Sequence, residues 1–280
     1  MSGLLETLDW RQPTSNHAQV IREHVQRVRN SARKLQCSVP EELVRHPEFY
    51  ACLIRALKGH TSSLDPLLIT LSAPCKYRLP NGAPVEIARG PVSDGRNVFH
   101  ALLVAWEDLV VGNPKASLFV HDMIQLVICR WRPEIAGLFT SSQITHVGRV
   151  TLDNVLEAKT AQLIDGLVHE SIHSYLYMVE ERERFLATRL DPGVFVSSPW
   201  TGRNICLHSF VHACFVWFSL HTLRSSWQSP KEYRGKSFAE FVRRGFTRTE
   251  FTQILKTHRR WIPLHLEDLL LATRERALAA

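Results

Sequence analysis

The stretch that decides the reading is "DGLVHESIHSYLYM", Asp165 to Met178. It holds His169-Glu170-Ser171-Ile172-His173, an H-E-x-x-H pattern. On an α-helix, residues four apart share a face, with Cβ atoms about 5–6 Å apart. His169 and His173 are therefore spaced to grip one metal ion, and Glu170, beside a ligand, can reach the ion's outer shell. Leu163, Ile164, Leu167, Val168, Ile172 and Leu176 place apolar side chains on several sides of the segment, which predicts a buried helix. Two histidines and a glutamate inside such a helix need partners, because unpaired buried polar groups are costly. A metal would satisfy them. Asp165, one turn before His169, is either the carboxylate that orients a ligand imidazole or an ordinary polar position.

Working outward, "ITHVGRVTLDN" alternates and is β-branched, so it predicts a strand leading through Asp153 or Asn154 into the helix. After the loop "LDPGVFVSSPWTGRN", a second apolar helix is expected through "LHSFVHACFVWFSLHTL". The C-terminal segments "KSFAEFVRRGF", "TEFTQILKTHRRW" and "LHLEDLLLATRERAL" carry helical spacing. So does "SNHAQVIREHVQRVRNSARKL", with Ser15 or Asn16 as N-cap. "PEELVRHPEFYACLIRALKG" reads as one or two helices stopped at Gly59. Residues 61–97 are loop-rich, with the strand-like runs "LLITL" and "PVEIA". "NVFHALLVAWEDLVVG" and "ASLFVHDMIQLVICRW" both read as helices. The expected fold is mainly α with a small β component (α+β). It is one domain over 1–280, with a helical N-terminal part over 1–150 and the H-E-x-x-H part over 151–280. The metal site is expected between two core helices.

The 280 residues suffice for an ample core, and 45% apolar against 22% charged residues is a globular profile. The formal net charge is +7, but no dense Lys/Arg run appears. "RRGFTR" and "HRRW" read as solvated faces, so no nucleic-acid partner is expected. No apolar run approaches the roughly 20 residues that span a bilayer, and no signal-like N-terminus is seen, so no membrane partner is expected either. Cys37, Cys52, Cys75, Cys129, Cys206 and Cys214 form no C-x-x-C pair and read as buried free thiols. A cytoplasmic, reducing setting is the expectation.

Two chemistries compete for the metal. In a zinc peptidase, Glu170 is the general base for a metal-bound water. The extension with Gly and a further His soon after the motif is missing from "HSYLYMVEE". Glu180 and Glu181 follow too soon to curl back, and Glu232 and Glu240 lie in polar surroundings. A third ligand is instead offered by a second pair four residues apart, His208 and His212, with His212 favoured because "VHACFVW" lies deepest in an apolar run. The other chemistry is non-haem iron with open positions for O₂ and a chelating co-substrate such as 2-oxoglutarate. The distal carboxylate of such a co-substrate calls for an arginine fork, and Arg203 precedes the second helix. A helical module that binds peptide without catalysis, with structural histidines, is the third class.

"LVHESIHSYL" followed by "SSPWTGRNICLHSFVHACFVW" resembles the 2-oxoglutarate-dependent H-E-x-x-H peptide β-hydroxylases, iron enzymes associated with ribosomally made, modified peptides. Ser198-Pro199-Trp200, Arg203 and His212 match the family pattern in order, over roughly Asp165 to Leu220. The sequence departs at Asn204, where the family usually has Pro, and the altered spacing leaves His208 as an alternate third ligand. The resemblance implies Fe(II) held by His169, His173 and His212, with Ser198, Trp200 and Arg203 at the 2-oxoglutarate site. It implies O₂ as co-substrate and hydroxylation of an unactivated side-chain carbon. Zinc replaces iron in the peptidase alternative. The implied partner is a peptide, held with the help of a leader segment or another protein. Glu170 is then a supporting residue or a further ligand.

Overall fold

Leu126 to Arg130 carries the end of a run that reads as helix, and it forms a strand. It is the central strand of its sheet and pairs parallel on both sides, and such strands are continuously apolar, with no alternation to separate them from helix. The preceding helix stops at Met123. Its start is fixed locally: Pro114 takes the first position, and Asn113 Oδ1 accepts from the Ala116 N–H at 2.8 Å.

The computed structural model describes residues 3–12, 17–35, 41–58, 75–88, 95–187, 193–227 and 236–279. In chain order the helices are α1 (Leu4–Leu8), α2 (His17–Lys34), α3 (Pro47–Leu57), α4 (Gly95–Gly112), α5 (Pro114–Met123), α6 (Thr160–Glu180), α7 (Leu207–Ser225), α8 (Lys236–Thr247), α9 (Thr249–Thr257) and α10 (Leu264–Ala279). The strands are β1 (Tyr77–Arg78), β2 (Pro84–Ile87), β3 (Leu126–Arg130), β4 (Phe139–Ser141), β5 (Arg149–Asp153), β6 (Phe195–Ser197) and β7 (Asn204–Cys206). The fold is thus mainly helical with small sheets, as the patterning predicts. Ser15, Asn16, Gly59 and "LLITL" lie outside the described residues. No helix among the described residues is long and apolar enough to cross a membrane.

The chain divides into two compact units: His17–Met178, and Met1–Asn16 together with Val179–Ala280. The boundary between the two expected parts, at 150/151, falls inside β5.

In the unit His17–Met178, the sheet order is β1-β2-β3-β5-β4. The inner three strands are parallel, with Val127 opposite both Val85 and Val150, and both edges are antiparallel. Only Arg149–Asp153 of "ITHVGRVTLDN" is strand; the preceding residues turn at Gly148, whose φ of +88° suits glycine. Asn154 then adopts a left-handed conformation, φ 60°. Its Nδ2 donates to the carbonyls of Arg132 and Ile135 at 2.9 and 2.7 Å, and its Oδ1 accepts from Arg132 N at 2.8 Å. One asparagine therefore pins the 132–137 loop and turns the chain toward α6.

In the other unit, α7 packs against α1, α8 and α10. Ser219 Oγ on α7 donates to the Leu8 carbonyl at 2.8 Å. The stretch expected as a loop before α7 contains a hairpin, with Val196 opposite Ile205 and a turn at Gly202, φ +69°. Its strands are only three residues each, too short for a periodic signal.

Candidate functional site

Helix α6 is buried on nearly all sides. Leu163, Ile164, Leu167, Val168, Ile172 and Leu176 are each 2% exposed or less. From its second turn on, one stripe within the unit His17–Met178 is partly open: Asp165, His169, His173 and Tyr177, spaced by four. The two histidines of the motif therefore occupy the partly open stripe, while Glu170 is buried beside it. The His169 and His173 rings lie 4.9 Å apart, and the Tyr177 ring stacks on His173 at 6.1 Å and 22°.

The Nε2 atoms of His169 and His173 are 3.1 Å apart. Two imidazole nitrogens bound to one ion at about 2.0–2.1 Å stand roughly 2.8–3.4 Å apart for octahedral to tetrahedral angles. Glu170 points to the same place: its Oε1 is 3.9 Å from His169 Nε2, and ligand atoms of all three residues lie within 4.8 Å of one another. Its side chain is 2% exposed. Oε1 accepts from Thr140 Oγ1 on β4 at 2.5 Å, while Oε2 is buried with no hydrogen-bond partner. An orphaned carboxylate oxygen beside two converging imidazoles fits a group that accepts all three. The approach of Thr140 depends on Gly166, one turn before Glu170. A Cβ there would stand 2.8 Å from Thr140 Cγ2.

The structure groups His208 and His212 with Glu180, inside the unit made of Met1–Asn16 and Val179–Ala280. His208 Nε2 lies 3.0 and 2.8 Å from Glu180 Oε1 and Oε2, and His212 Nε2 is 3.0 Å from Oε2. The two rings are 4.4 Å apart. Burial alone would raise the Glu180 carboxyl, but its contacts with His208 and His212 bring it down to about 2. Burial dominates at His212 and lowers its affinity for a proton, against the pull of Glu180. His212 is sealed under the edge of Phe185, while His208 is partly exposed.

The remaining predicted residues shape one turn. Ser198 is buried; its N–H donates to the Arg203 carbonyl at 2.8 Å, and its Oγ accepts from Thr201 N at 3.3 Å. Arg203 is exposed at the end of that turn. Trp200 is a core residue, packed edge-on against Phe246 at 5.0 Å, with Nε1 donating to the Val242 carbonyl at 3.1 Å. A separate cavity of about 210 Å³ opens where β2 and β3 end, lined by Ile87, Cys129, Arg130 and Leu156 among others. The five cysteines among the described residues are free, and burial pushes Cys129 up to about 12, which leaves it a thiol.

Three residues of this picture escape a reading of the sequence. Thr140 and Gly166 act through a strand–helix contact that leaves no motif. From its spacing Glu180 reads only as a carboxylate too close to curl back to the H-E-x-x-H pair. A buried histidine pair on an apolar helix signals that a partner is needed, but not which residue supplies it. A scan against protein-family models and a search of curated proteins each find no match for this chain.

Proposed function

We propose that the protein is an Fe(II)/2-oxoglutarate-dependent oxygenase that hydroxylates an unactivated carbon, the β-carbon, of an amino-acid side chain in a peptide. The observation that carries a metal enzyme is the convergence of His169 Nε2 and His173 Nε2 at 3.1 Å on the open stripe of an otherwise buried helix. The choice of iron and 2-oxoglutarate rests on the resemblance of "LVHESIHSYL" and "SSPWTGRN" to the peptide hydroxylases. Modified-peptide biosynthesis in the cytoplasm, with a leader segment or partner protein presenting the peptide, belongs to the same reading.

Iron with 2-oxoglutarate and O₂ supplies the oxidising power: one oxygen atom enters the C–H bond, the other enters succinate, and CO₂ leaves. The protein's own residues position and shield. His169 and His173 present their Nε2 atoms. The apolar sides of α6 keep water from the ligands' far edges. Glu170, tethered by Thr140 through Oε1, keeps Oε2 for a ligand imidazole, the ion or a substrate group. The resemblance implies that Arg203 takes the distal carboxylate of 2-oxoglutarate; Ser198 N–H, bonded to the Arg203 carbonyl, shapes the turn that carries it. The third donor that the resemblance implies, His212 or His208, is a separate question, because both already have a carboxylate partner in Glu180.

The test is conversion of labelled 2-oxoglutarate to succinate by the purified protein with Fe(II), in air and under argon. Succinate is expected only in air, and His169→Ala or His173→Ala should lower it by at least 100-fold. Tight zinc binding with no 2-oxoglutarate turnover would sink the reading. One observation favours the zinc peptidase as the alternative: Glu170 Oε2 is buried without a hydrogen-bond partner, and a general base needs such an acceptor. Hydrolysis that survives without O₂ and vanishes in Glu170→Gln would establish that alternative.

A further inference from the structure

We propose that Glu180, His208 and His212 form a second metal site, a two-histidine, one-carboxylate set for a divalent transition-metal ion, distinct from the H-E-x-x-H pair. His208 and His212 repeat the i, i+4 grip on a second helix, and Glu180, the last residue of α6, supplies the oxygen. Their ligand atoms lie within 4.8 Å of one another. Both Nε2 atoms stand 2.8–3.0 Å from one oxygen, Glu180 Oε2. Donors held at about 2.0–2.1 Å from one ion at right angles are roughly 2.9 Å apart.

Burial and charge point the same way. The Glu180 side chain is 10% exposed and that of His212 2%. Among the described residues no Lys or Arg forms an ion pair with Glu180; its two partners are imidazoles. A carboxylate so enclosed needs positive charge close by. Imidazole and carboxylate donors together suit zinc, iron or cobalt(II) rather than calcium or magnesium, which take all-oxygen sets. Three protein ligands leave a position open, and the half-exposed His208 marks the side from which an ion enters. The inference does not rest on the oxygenase reading. It does reassign His212, which the resemblance places at a single shared centre.

The experiment is zinc counting. Protein stripped with chelator is dialysed against Zn²⁺ and its metal content measured, with circular dichroism checking the fold of each variant. Two zinc ions per chain are expected. His169→Ala/His173→Ala should keep one, and Glu180→Gln/His208→Asn should keep the other. Cobalt(II) absorption, read in the same variants, should split into two separable parts. A single zinc in the wild type that is lost in both variant pairs would mean one centre to which both sets contribute, and would overturn the proposal. So would two zinc ions retained in Glu180→Gln/His208→Asn, or no zinc bound in the wild type. Succinate formation is read separately, so failure of the oxygenase reading leaves this count intact.

Discussion

His221 shows what an unsatisfied side chain costs. It lies on α7 at 2% exposure, and neither ring nitrogen has a hydrogen-bond partner. Burial, with the nearby Arg243 and Arg11 charges adding to it, drives its pKa down to about 4. The sign follows from linkage. As pH falls below 6.5 the unfolded chain takes up a proton at this residue and the folded chain does not until about 4, so stability is lost across that window. At pH 5 the loss amounts to about 2 kcal/mol relative to pH 7. Urea unfolding of the wild type and of His221→Leu at both pH values checks this. The variant should lose about 2 kcal/mol less than the wild type on acidification, and equal losses would show that His221 does not titrate as described. This residue is legible in "FSLHTL" only as one more histidine in an apolar run. By contrast His169 and His173 are legible because spacing alone puts them on one face, and the structure keeps them there.

At the scale of the element, Gly166 decides how β4 meets α6. Its missing Cβ lets Thr140 close onto the helix and bond Glu170. Gly166→Ala places a methyl 2.8 Å from Thr140 Cγ2, and a contact under 3.0 Å must relax by moving the strand edge. Alanine favours helix by up to about 1 kcal/mol over glycine, but overpacking costs about 1–3 kcal/mol. The net expectation is a destabilised protein whose Glu170 has lost its tether and whose metal binds about tenfold more weakly. Denaturant midpoint and competitive metal titration measure the two effects. A more stable variant with unchanged affinity would show that Thr140 yields freely. The helices themselves are legible wherever apolar residues recur at helical spacing, as in α2, α4 and α6 to α10. The strands are legible only where something local marks them. β2 has Pro84 and branched residues, whereas β3 merges with a helical run and β6–β7 hides in a turn-rich loop. The sheet that places Thr140 depends on pairing between distant segments, which periodicity does not encode.

At the scale of the whole molecule, the question is how far the metal sites contribute to holding the chain folded. Both candidate clusters leave polar atoms in places from which water is largely excluded, Glu170 Oε2 in one unit and the Glu180–His212 pair in the other. An ion that binds the folded chain and not the unfolded one stabilises it by mass action, about 2.7 kcal/mol at a hundredfold excess over its dissociation constant. For a chain of this size each kcal/mol moves the melting temperature by about 2–4 °C. Each bound ion should therefore raise the melting temperature by about 5–10 °C; chelation should remove both contributions, and added Zn²⁺ should restore them. The two units give the measurement a second dimension. His169 and His173 lie in one and Glu180, His208 and His212 in the other, so each variant pair should remove only part of the metal-dependent shift. Calorimetry of wild type, His169→Ala/His173→Ala and Glu180→Gln/His208→Asn, each with chelator and with zinc, reads both parts. A melting temperature indifferent to metal in the wild type would mean that the histidine pairs satisfy one another by hydrogen bonds alone. A shift abolished entirely by either variant pair would mean that one ion serves the whole chain.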